Sequence, residues 1–180
     1  MDTRLLIDVG DALAERGVAV LRFNFPYMEA GRRAPDPQPR LEACYRAVAD
    51  AVADEFERPY LGGKSMGGRI ASHIVADGFA AGGLVFLGYP LHPPGKPEKI
   101  RDEHLADVHA PMLFLQGTED PFARWDLLEG VVKRLGTWAQ LHRVDGGDHS
   151  FRVRGARRPD DETGRLLGSV AARFVQGAQI

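Results

Sequence analysis

Apolar residues recur along this chain in two alternating patterns, one typical of helices and the other typical of strands. Helical spacing, with apolar residues three or four positions apart, predicts helices over residues 2–16, 41–56, 66–76, 125–135 and 162–176. Short, mostly apolar runs predict strands over residues 18–23, 60–62, 84–87, 112–116 and 139–144. Because helices alternate with strands throughout, the pattern predicts a parallel sheet with helices on both faces.

Two connections between these elements are long and rich in proline. Residues 24–39 hold four prolines and predict a long loop after the first strand. Residues 88–109 form a second such connection, with one short helix predicted over residues 100–107. Ligands of such sheets bind beyond the carboxyl ends of the strands, so a long loop at that edge is a candidate functional segment.

Composition narrows the class of protein. The 180 residues are 44% hydrophobic and 27% charged, which is typical of a globular protein and predicts a single domain over residues 1–180. A net charge of −2 gives no basis for nucleic-acid binding, and no apolar run approaches the ~20 residues of a membrane span. The N-terminus lacks the features of a signal or transit peptide, and the single Cys44 fits a reducing compartment, so we expect a cytoplasmic protein.

The pentapeptide pattern Gly-x-Ser-x-Gly is present as GKSMG at residues 63–67, after a predicted strand and before a predicted helix. In a nucleophile elbow the serine lies on a sharp turn between two such elements, in a strained backbone conformation. We expect Gly63 and Gly67 to leave room for the close approach of helix and strand. The pattern alone is not specific, because Ser65 could also be a serine in an ordinary tight turn. It does not extend to a phosphate-binding loop, since Arg58 stands where that loop needs a glycine.

Two further residues follow other strands of the predicted sheet at the same edge. Asp120 comes after the fourth predicted strand and His149 after the last, each in a glycine-containing turn. A serine hydroxyl needs a base to accept its proton, and the base needs a carboxylate to hold it. The order serine, aspartate, histidine along the chain is the order found in α/β-hydrolases. Glu119 remains an alternative acid, and His149 could instead pair locally with Asp148 or Asp145.

Five stretches along the chain carry a resemblance to a known family. They are RFNFPY (22–27), GGKSMGGR (62–69), LGYPLHPPGK (87–96), QGTEDP (116–121) and GGDHSF (146–151). In these stretches the chain resembles the small dienelactone-hydrolase-like α/β-hydrolases, in particular a bacterial branch with relatives among eukaryotic testis-expressed and chromatin-associated proteins. The resemblance implies an α/β-hydrolase fold, with Ser65 as nucleophile, Asp120 as acid and His149 as base. It does not imply a substrate.

The chain departs from that family at its start. The family fold has eight strands, and its third strand lies between the fourth and the fifth and leads into a His-Gly loop that supplies a donor to the oxyanion hole. Here residues 18–23 match the fourth strand and residues 60–62 match the fifth. The resemblance therefore implies an N-terminally truncated, mostly parallel sheet of about five strands flanked by helices. The Met66 N–H is expected to remain as one oxyanion donor.

No residues before 18–23 match the first three strands of the family fold, and three explanations for their absence are open. Met1 could be an internal methionine of a longer protein, which is the explanation we favour. The strands on either side of the gap could pair with each other, or another chain, such as a second copy in a homo-oligomer, could complete the sheet. The absence of the third strand matters most, because this strand lies between the fourth and the fifth. Without it, both neighbours would expose an edge of unpaired backbone groups.

These observations predict a serine hydrolase that acts on a small carboxylic ester, lactone or related acyl substrate through an acyl-enzyme. Candidates for the substrate pocket lie near predicted strand ends, with simple packing between loops as the alternative for each: Tyr27, Met28, Tyr89, His92 and Phe122. We expect no cofactor, and the spacing of possible ligands gives no compelling metal site. The alternative function is a catalytically weak binding or scaffold protein that keeps the fold.

Overall fold

The computed structural model describes residues 4–155 and 160–177, in which helices and strands alternate along the chain. The helices are α1 (Arg4–Ala14), α2 (Pro26–Glu29), α3 (Gln38–Ala53), α4 (Met66–Ala76), α5 (Trp125–Leu135) and α6 (Asp160–Val175). The strands are β1 (Tyr60–Lys64), β2 (Gly83–Leu87), β3 (Met112–Gly117) and β4 (Ala139–Val144). Short 3₁₀ helices span Glu103–Asp107 and Gly136–Trp138. Within these described ranges, no helix combines the length and the apolar character that crossing a membrane requires.

The four strands form one parallel sheet in the order β1-β2-β3-β4, with helices on both faces, which confirms the predicted arrangement of layers. The side chains of β3 show why its sequence is apolar without interruption. Met112 and Phe114 pack into the cluster that contains residues of α4 and α5, whereas Leu113 and Leu115 pack with residues of α1 and α6. All four are fully buried. The carboxyl end of β3 is therefore held from both sides.

Residues 18–23, predicted as a buried strand, do not form one, so the described sheet has four strands where about five were expected. Val20 and Leu21 are 40% and 60% exposed, and Val20 and Arg22 lie beside Gly10 of α1. Strand-forming residues make a strand only where a neighbouring strand pairs with their backbone groups. Within the described residues, β1 pairs with β2 alone. The explanation in which this segment pairs with β1 across the gap is therefore wrong.

A tyrosine side chain holds the outer edge of β1. Tyr45 of α3 is buried, and its hydroxyl accepts a hydrogen bond from Gly62 N–H at 2.9 Å and donates one to Gly62 C=O at 2.6 Å. The phenol thus satisfies both backbone groups that Gly62 presents at this edge, where a neighbouring strand would otherwise pair with them. Burial raises the pKa of Tyr45 to about 12, so the hydroxyl keeps the proton that it donates. The contact fixes the strand that leads into Ser65.

The connection over residues 24–39 contains one turn of helix that the sequence pattern did not predict. This turn, α2, begins at Pro26, whose restricted φ suits the first position of a helix. Phe25, directly before it, is buried, and its ring lies against that of Tyr45, which anchors the turn to α3. Of the helix predicted over residues 100–107, only the 3₁₀ turn named above is present.

Candidate active site

Ser65 occupies the sharp turn between β1 and α4. Its backbone has φ +53° and ψ −121°, a conformation that a residue with a side chain adopts at a cost of about 1–3 kcal/mol. Ser65 N–H donates to Leu87 C=O of β2 at 3.0 Å, which ties the turn to the sheet. The strain falls on the residue whose hydroxyl projects from the turn, and this is the geometry of a nucleophile elbow.

Two glycines let α4 pass close to β1, but they are not the pair expected from the pentapeptide. A Cβ atom on Gly63 would lie 2.9 Å from backbone atoms of Gly67 and Gly68, and one on Gly68 would lie 2.8 Å from the carbonyl oxygen of Gly63. At Gly67 an added Cβ would meet nothing within 4 Å. Gly68, which lies outside the Gly-x-Ser-x-Gly pattern, therefore supplies the room that was expected from Gly67.

The structure brings Ser65, His149 and Asp120 into one hydrogen-bonded series. His149 Nε2 lies 2.8 Å from Ser65 Oγ, and His149 Nδ1 lies 2.7 Å from Asp120 Oδ2. Because an ionised carboxylate only accepts hydrogen bonds, Nδ1 carries the imidazole proton and Nε2 can accept the proton of the serine hydroxyl. The Asp120 side chain is fully buried, and that of His149 is 18% exposed. Glu119, the alternative acid, is an exposed residue.

The loop after β4 presents His149 to the elbow. Asp148 shapes this loop, since its Oδ1 accepts a hydrogen bond from Ser150 N–H at 2.7 Å. His149 Nδ1 contacts Asp120 instead of entering the local pairing with Asp148 that the sequence left open. The ring of Phe122 lies against the His149 ring, with the centroids 4.3 Å apart. The structure therefore places Phe122, a predicted pocket residue, directly beside the imidazole.

Asp120 is held by two more donors besides His149. Phe122 N–H donates to Oδ1 at 2.8 Å, and Gln116 Nε2 donates at 2.6 Å to Oδ2, the oxygen that His149 also contacts. The sequence interpretation gave Gln116 no role. A signal was present, because Gln116 is a polar residue at the end of an otherwise apolar buried strand, and a buried amide needs hydrogen-bond partners.

Two residues next to Ser65 contribute charge or partial charge at the elbow. Met66 is the first residue of α4, so its N–H has no acceptor within the helix and lies at the positive end of the helix dipole. This N–H is therefore suited to the role of oxyanion donor. Lys64, the last residue of β1, is half-buried, and burial lowers the pKa of its amine against the opposing influence of Asp120 and Asp148.

Two predicted pocket residues, Tyr27 and Met28, lie on α2 and are half-buried. The Tyr27 ring is stacked on that of Phe25, with the centroids 6.4 Å apart, and Tyr27 C=O accepts a hydrogen bond from Arg32 N–H at 2.8 Å. Because the segment before α2 is not a strand, these two residues do not follow a strand end as expected. They remain predicted pocket residues.

Tyr89 and His92 lie in the packed interior of the loops after β2. Tyr89 is fully buried, and its hydroxyl donates to Arg101 C=O at 2.9 Å. His92 is 4% exposed, its Nε2 accepts a hydrogen bond from Arg124 N–H, and its Nδ1 donates to Pro93 C=O, each at 2.9 Å. Both side chains therefore pack loops together, which is the alternative that the sequence left open.

Away from this series, two histidines form a stacked pair. The rings of His73 on α4 and His104 on the 3₁₀ helix have centroids 3.7 Å apart and an interplanar angle of 11°. His104 Nε2 donates to Ser72 Oγ at 2.8 Å, because Ser72 donates its own proton to Arg69 C=O. Burial lowers the pKa of His104 to about 3 and also lowers that of His73. Among residues 4–155 and 160–177, no group of three or more His, Cys, Asp or Glu side chains is placed to hold a metal ion.

Comparison with known proteins connects this geometry to a family. A family model described as an alpha/beta hydrolase domain matches residues 1–177. An alpha-beta serine hydrolase homologue from Coxiella burnetii is 20% identical, with a TM-score of 0.71 over 97% of this chain and 77% of that one. An a/b serine hydrolase without lid from Xanthomonas campestris is 22% identical, with a TM-score of 0.74 over 97% and 75%. Est1E from Butyrivibrio proteoclasticus, solved with ferulic acid bound, is 18% identical, with a TM-score of 0.74 over 98% and 83%. At such identities, the structural likeness shows a shared fold.

Proposed function

Because the chain belongs to the alpha/beta hydrolase family, we propose that it is a serine hydrolase that cleaves a small carboxylic ester, lactone or related acyl compound. The observation that carries the proposal is the continuous series of contacts from Ser65 Oγ through His149 to the buried Asp120. The strained turn at Ser65 supports it independently, since strain of this kind is retained where the surrounding structure holds a functional side chain in place.

In the first half of the proposed reaction, Ser65 Oγ attacks the acyl carbon while its proton passes to His149 Nε2. The imidazolium that forms is stabilised by Asp120, whose Oδ2 already accepts the Nδ1 proton. The developing oxyanion lies next to the Met66 N–H at the start of α4, where a backbone donor and the helix dipole both favour negative charge. His149 then gives its proton to the leaving alcohol, and the acyl group remains on Ser65.

In the second half, a water molecule takes the place of the alcohol. His149 Nε2 accepts a proton from this water, the resulting hydroxide attacks the acyl carbon, and the proton returns to Ser65 Oγ as the carboxylic acid leaves. The same base thus serves both halves, which requires that its ring keep one orientation. The Asp120 contact on Nδ1 and the Phe122 ring against the imidazole provide that orientation.

Hydrolysis of p-nitrophenyl esters tests the proposal. A panel of acetyl, butyryl and feruloyl esters covers short acyl chains and the acid found bound to Est1E. We expect hydrolysis above the uncatalysed rate by the wild-type protein and none by Ser65→Ala. Asp120→Asn should lose about 10⁴-fold in kcat, because the imidazole is then held in the wrong tautomer.

The matched control is Glu119→Gln, which changes an exposed carboxyl next to the acid and should retain kcat within about twofold. Hydrolysis by Ser65→Ala at the wild-type rate would contradict the proposed mechanism. A folded wild-type protein that hydrolyses no ester in the panel would favour the catalytically weak binding or scaffold protein.

A further inference from the structure

Gln116 is a fully buried amide at the carboxyl end of β3, and it has two hydrogen-bond partners of different kinds. Its Oε1 accepts from Tyr89 N–H at 2.8 Å, and its Nε2 donates to Asp120 Oδ2 at 2.6 Å. We propose that Gln116 is a positioning residue, whose amide fixes the Asp120 carboxylate in the orientation that receives His149. The inference rests on the proposed serine hydrolase function.

The two partners determine which way the amide of Gln116 points. A backbone N–H can only donate, so the Gln116 atom that faces Tyr89 must be the oxygen. The nitrogen then faces Asp120, and a carboxylate oxygen is the acceptor that it needs. A flipped amide would set two donors against each other at Tyr89 and two acceptors against each other at Asp120. Gln116 therefore has one stable orientation, with an N–H group aimed at the acid.

The donor matters because of the oxygen that it contacts. Oδ2 of Asp120 is also the atom that receives Nδ1 of His149, whereas Oδ1 is held by Phe122 N–H. The χ2 rotation of an aspartate is broad, so a single contact on Oδ1 does not fix the direction in which Oδ2 points. With Gln116 as a second anchor, the carboxylate plane is set before the imidazole binds to it. A buried carboxylate also needs such donors to offset its lost hydration.

Gln116 also ties the acid to the neighbouring loop. The backbone ladder between β2 and β3 ends with Gly88 N–H donating to Leu115 C=O at 2.9 Å, and the Gln116 side chain continues it by accepting from Tyr89 N–H. A Cβ atom on Gly88 would lie 3.5 Å from His149 Nδ1 and 3.6 Å from Asp120 Oδ2. One side chain therefore fixes both the acid and the loop backbone that packs against the acid–base contact.

A merely structural role for Gln116 would consist of the Tyr89 contact alone, and substitution separates the two roles. Gln116→Glu keeps the shape of the side chain and an oxygen for Tyr89 N–H, but places a carboxyl group opposite Asp120. Ionised, that group repels the acid. Protonated, it can donate to Oδ2 as the amide does. Like charge and burial both raise the pKa of such a carboxyl, and the ionised form gains population as the pH rises.

The first measurement compares p-nitrophenyl acetate hydrolysis by wild type and Gln116→Met, which has similar volume and no amide. We expect kcat to fall roughly 10–100-fold, the loss that follows when a charge-assisted contact in the reacting series is removed, with KM changed by less than about twofold. The matched control is Gln140→Met on β4, because Gln140 is half-buried, carries an unpaired Oε1 and lies outside the site. That control should retain wild-type kcat.

The second measurement follows the ratio of Gln116→Glu activity to wild-type activity between about pH 6 and pH 9, with circular dichroism confirming the fold at each pH. The proposal requires that this ratio fall at least about tenfold as the introduced carboxyl ionises. A ratio that stays near one across the range would overturn the proposal, as would wild-type kcat in Gln116→Met. If Gln116→Met does not fold, the Gln116→Glu ratio decides alone.

Ser65→Ala, assayed in parallel, separates failure of this inference from failure of the proposed function. If Ser65→Ala is inactive while both Gln116 variants behave as wild type, only the positioning role is wrong. If Ser65→Ala retains full hydrolysis, the proposed function itself is wrong, and the positioning role is overturned together with it.

Discussion

Adding a single methyl group at Gly67 or at Gly68 tests which glycine the close packing of α4 on β1 requires, the one in the sequence motif or the one that the structure indicates. The pentapeptide predicts that Gly67, its last position, is one of the two glycines that leave room for the helix. In the structure, α4 instead comes closest to β1 at Gly68, where a Cβ atom would lie 2.8 Å from Gly63 O and 3.1 Å from a ring carbon of Phe86. At Gly67 the same atom would enter open space. We therefore expect Gly68→Ala to be damaging and Gly67→Ala to be tolerated.

The expected difference in the free energy of unfolding follows from one contribution that both variants have and one that only Gly68→Ala has. Both positions lie in the first turn of α4, so both substitutions gain about 0.5–1 kcal/mol from the lower chain entropy of alanine. Only Gly68→Ala must push a helix away from a strand carbonyl that has no rotamer to adopt, and overpacking of this kind costs about 1–3 kcal/mol. The shared gain cancels, and the free energies of unfolding should differ by about 1–3 kcal/mol, with Gly67→Ala more stable.

Urea unfolding of both variants measures this difference, and p-nitrophenyl acetate hydrolysis shows whether the elbow is displaced. We expect Gly67→Ala to unfold at or above the wild-type midpoint. Gly68→Ala should unfold earlier and lose more activity, because displacing the helix changes the turn that orients Ser65 Oγ toward His149. Equal midpoints for the two variants, or an earlier midpoint for Gly67→Ala, would refute the packing derived from the structure.

Two other substitutions test contacts away from Ser65, His149 and Asp120. Tyr45→Phe should lower the free energy of unfolding by about 1–3 kcal/mol, because Gly62 N–H and C=O lose their partner at the edge of β1. An unchanged urea midpoint would show that water serves this edge equally well. Lowering the pH should destabilise the fold in part through His104, and His104→Gln, which keeps a donor for Ser72, should lessen that loss.

The sign of this pH effect follows from the lowered pKa of His104. In the unfolded chain the imidazole takes up a proton below about pH 6.5, whereas in the folded chain it stays neutral down to about pH 3. The unfolded state binds more protons in this window, so stability is complete above it and falls as the pH falls through it. Urea midpoints at about pH 7.5 and about pH 4.5 measure the loss. An equal loss in wild type and His104→Gln would contradict this role of the ring.

The strands that were predicted correctly from sequence are those that pair with another described strand. β3 is a continuous apolar run because its side chains are buried on both faces of the sheet, and such burial leaves a clear pattern. Residues 18–23 carry the same kind of pattern without becoming a strand. Strand propensity describes what a segment does when a neighbouring strand can pair with it. The apolar pattern of one segment does not reveal whether such a neighbouring strand is present.

The contact between Ser65, His149 and Asp120 could be expected because all three follow strand ends that meet at one edge of a parallel sheet. The residues that support it were harder to predict. Gln116 has no motif of its own, and its role depends on which backbone N–H and which carboxylate oxygen converge on its amide. Tyr89 and His92 also lie near strand ends, but their side chains turn inward to satisfy backbone groups of the loops. Proximity to a strand end in sequence does not specify the direction of a side chain.

The reactivity of Ser65 is the most direct test of the proposed chemistry. A fluorophosphonate probe forms a bond to a serine oxygen with loss of fluoride, and it does so readily only where a base accepts the serine proton. After incubation of the native protein at neutral pH, we expect one adduct per chain, mapped by mass spectrometry to the peptide that contains Ser65, and none in Ser65→Ala. A wild-type chain whose mass does not change, or an adduct on any residue other than Ser65, would contradict the assignment of Ser65 as the nucleophile.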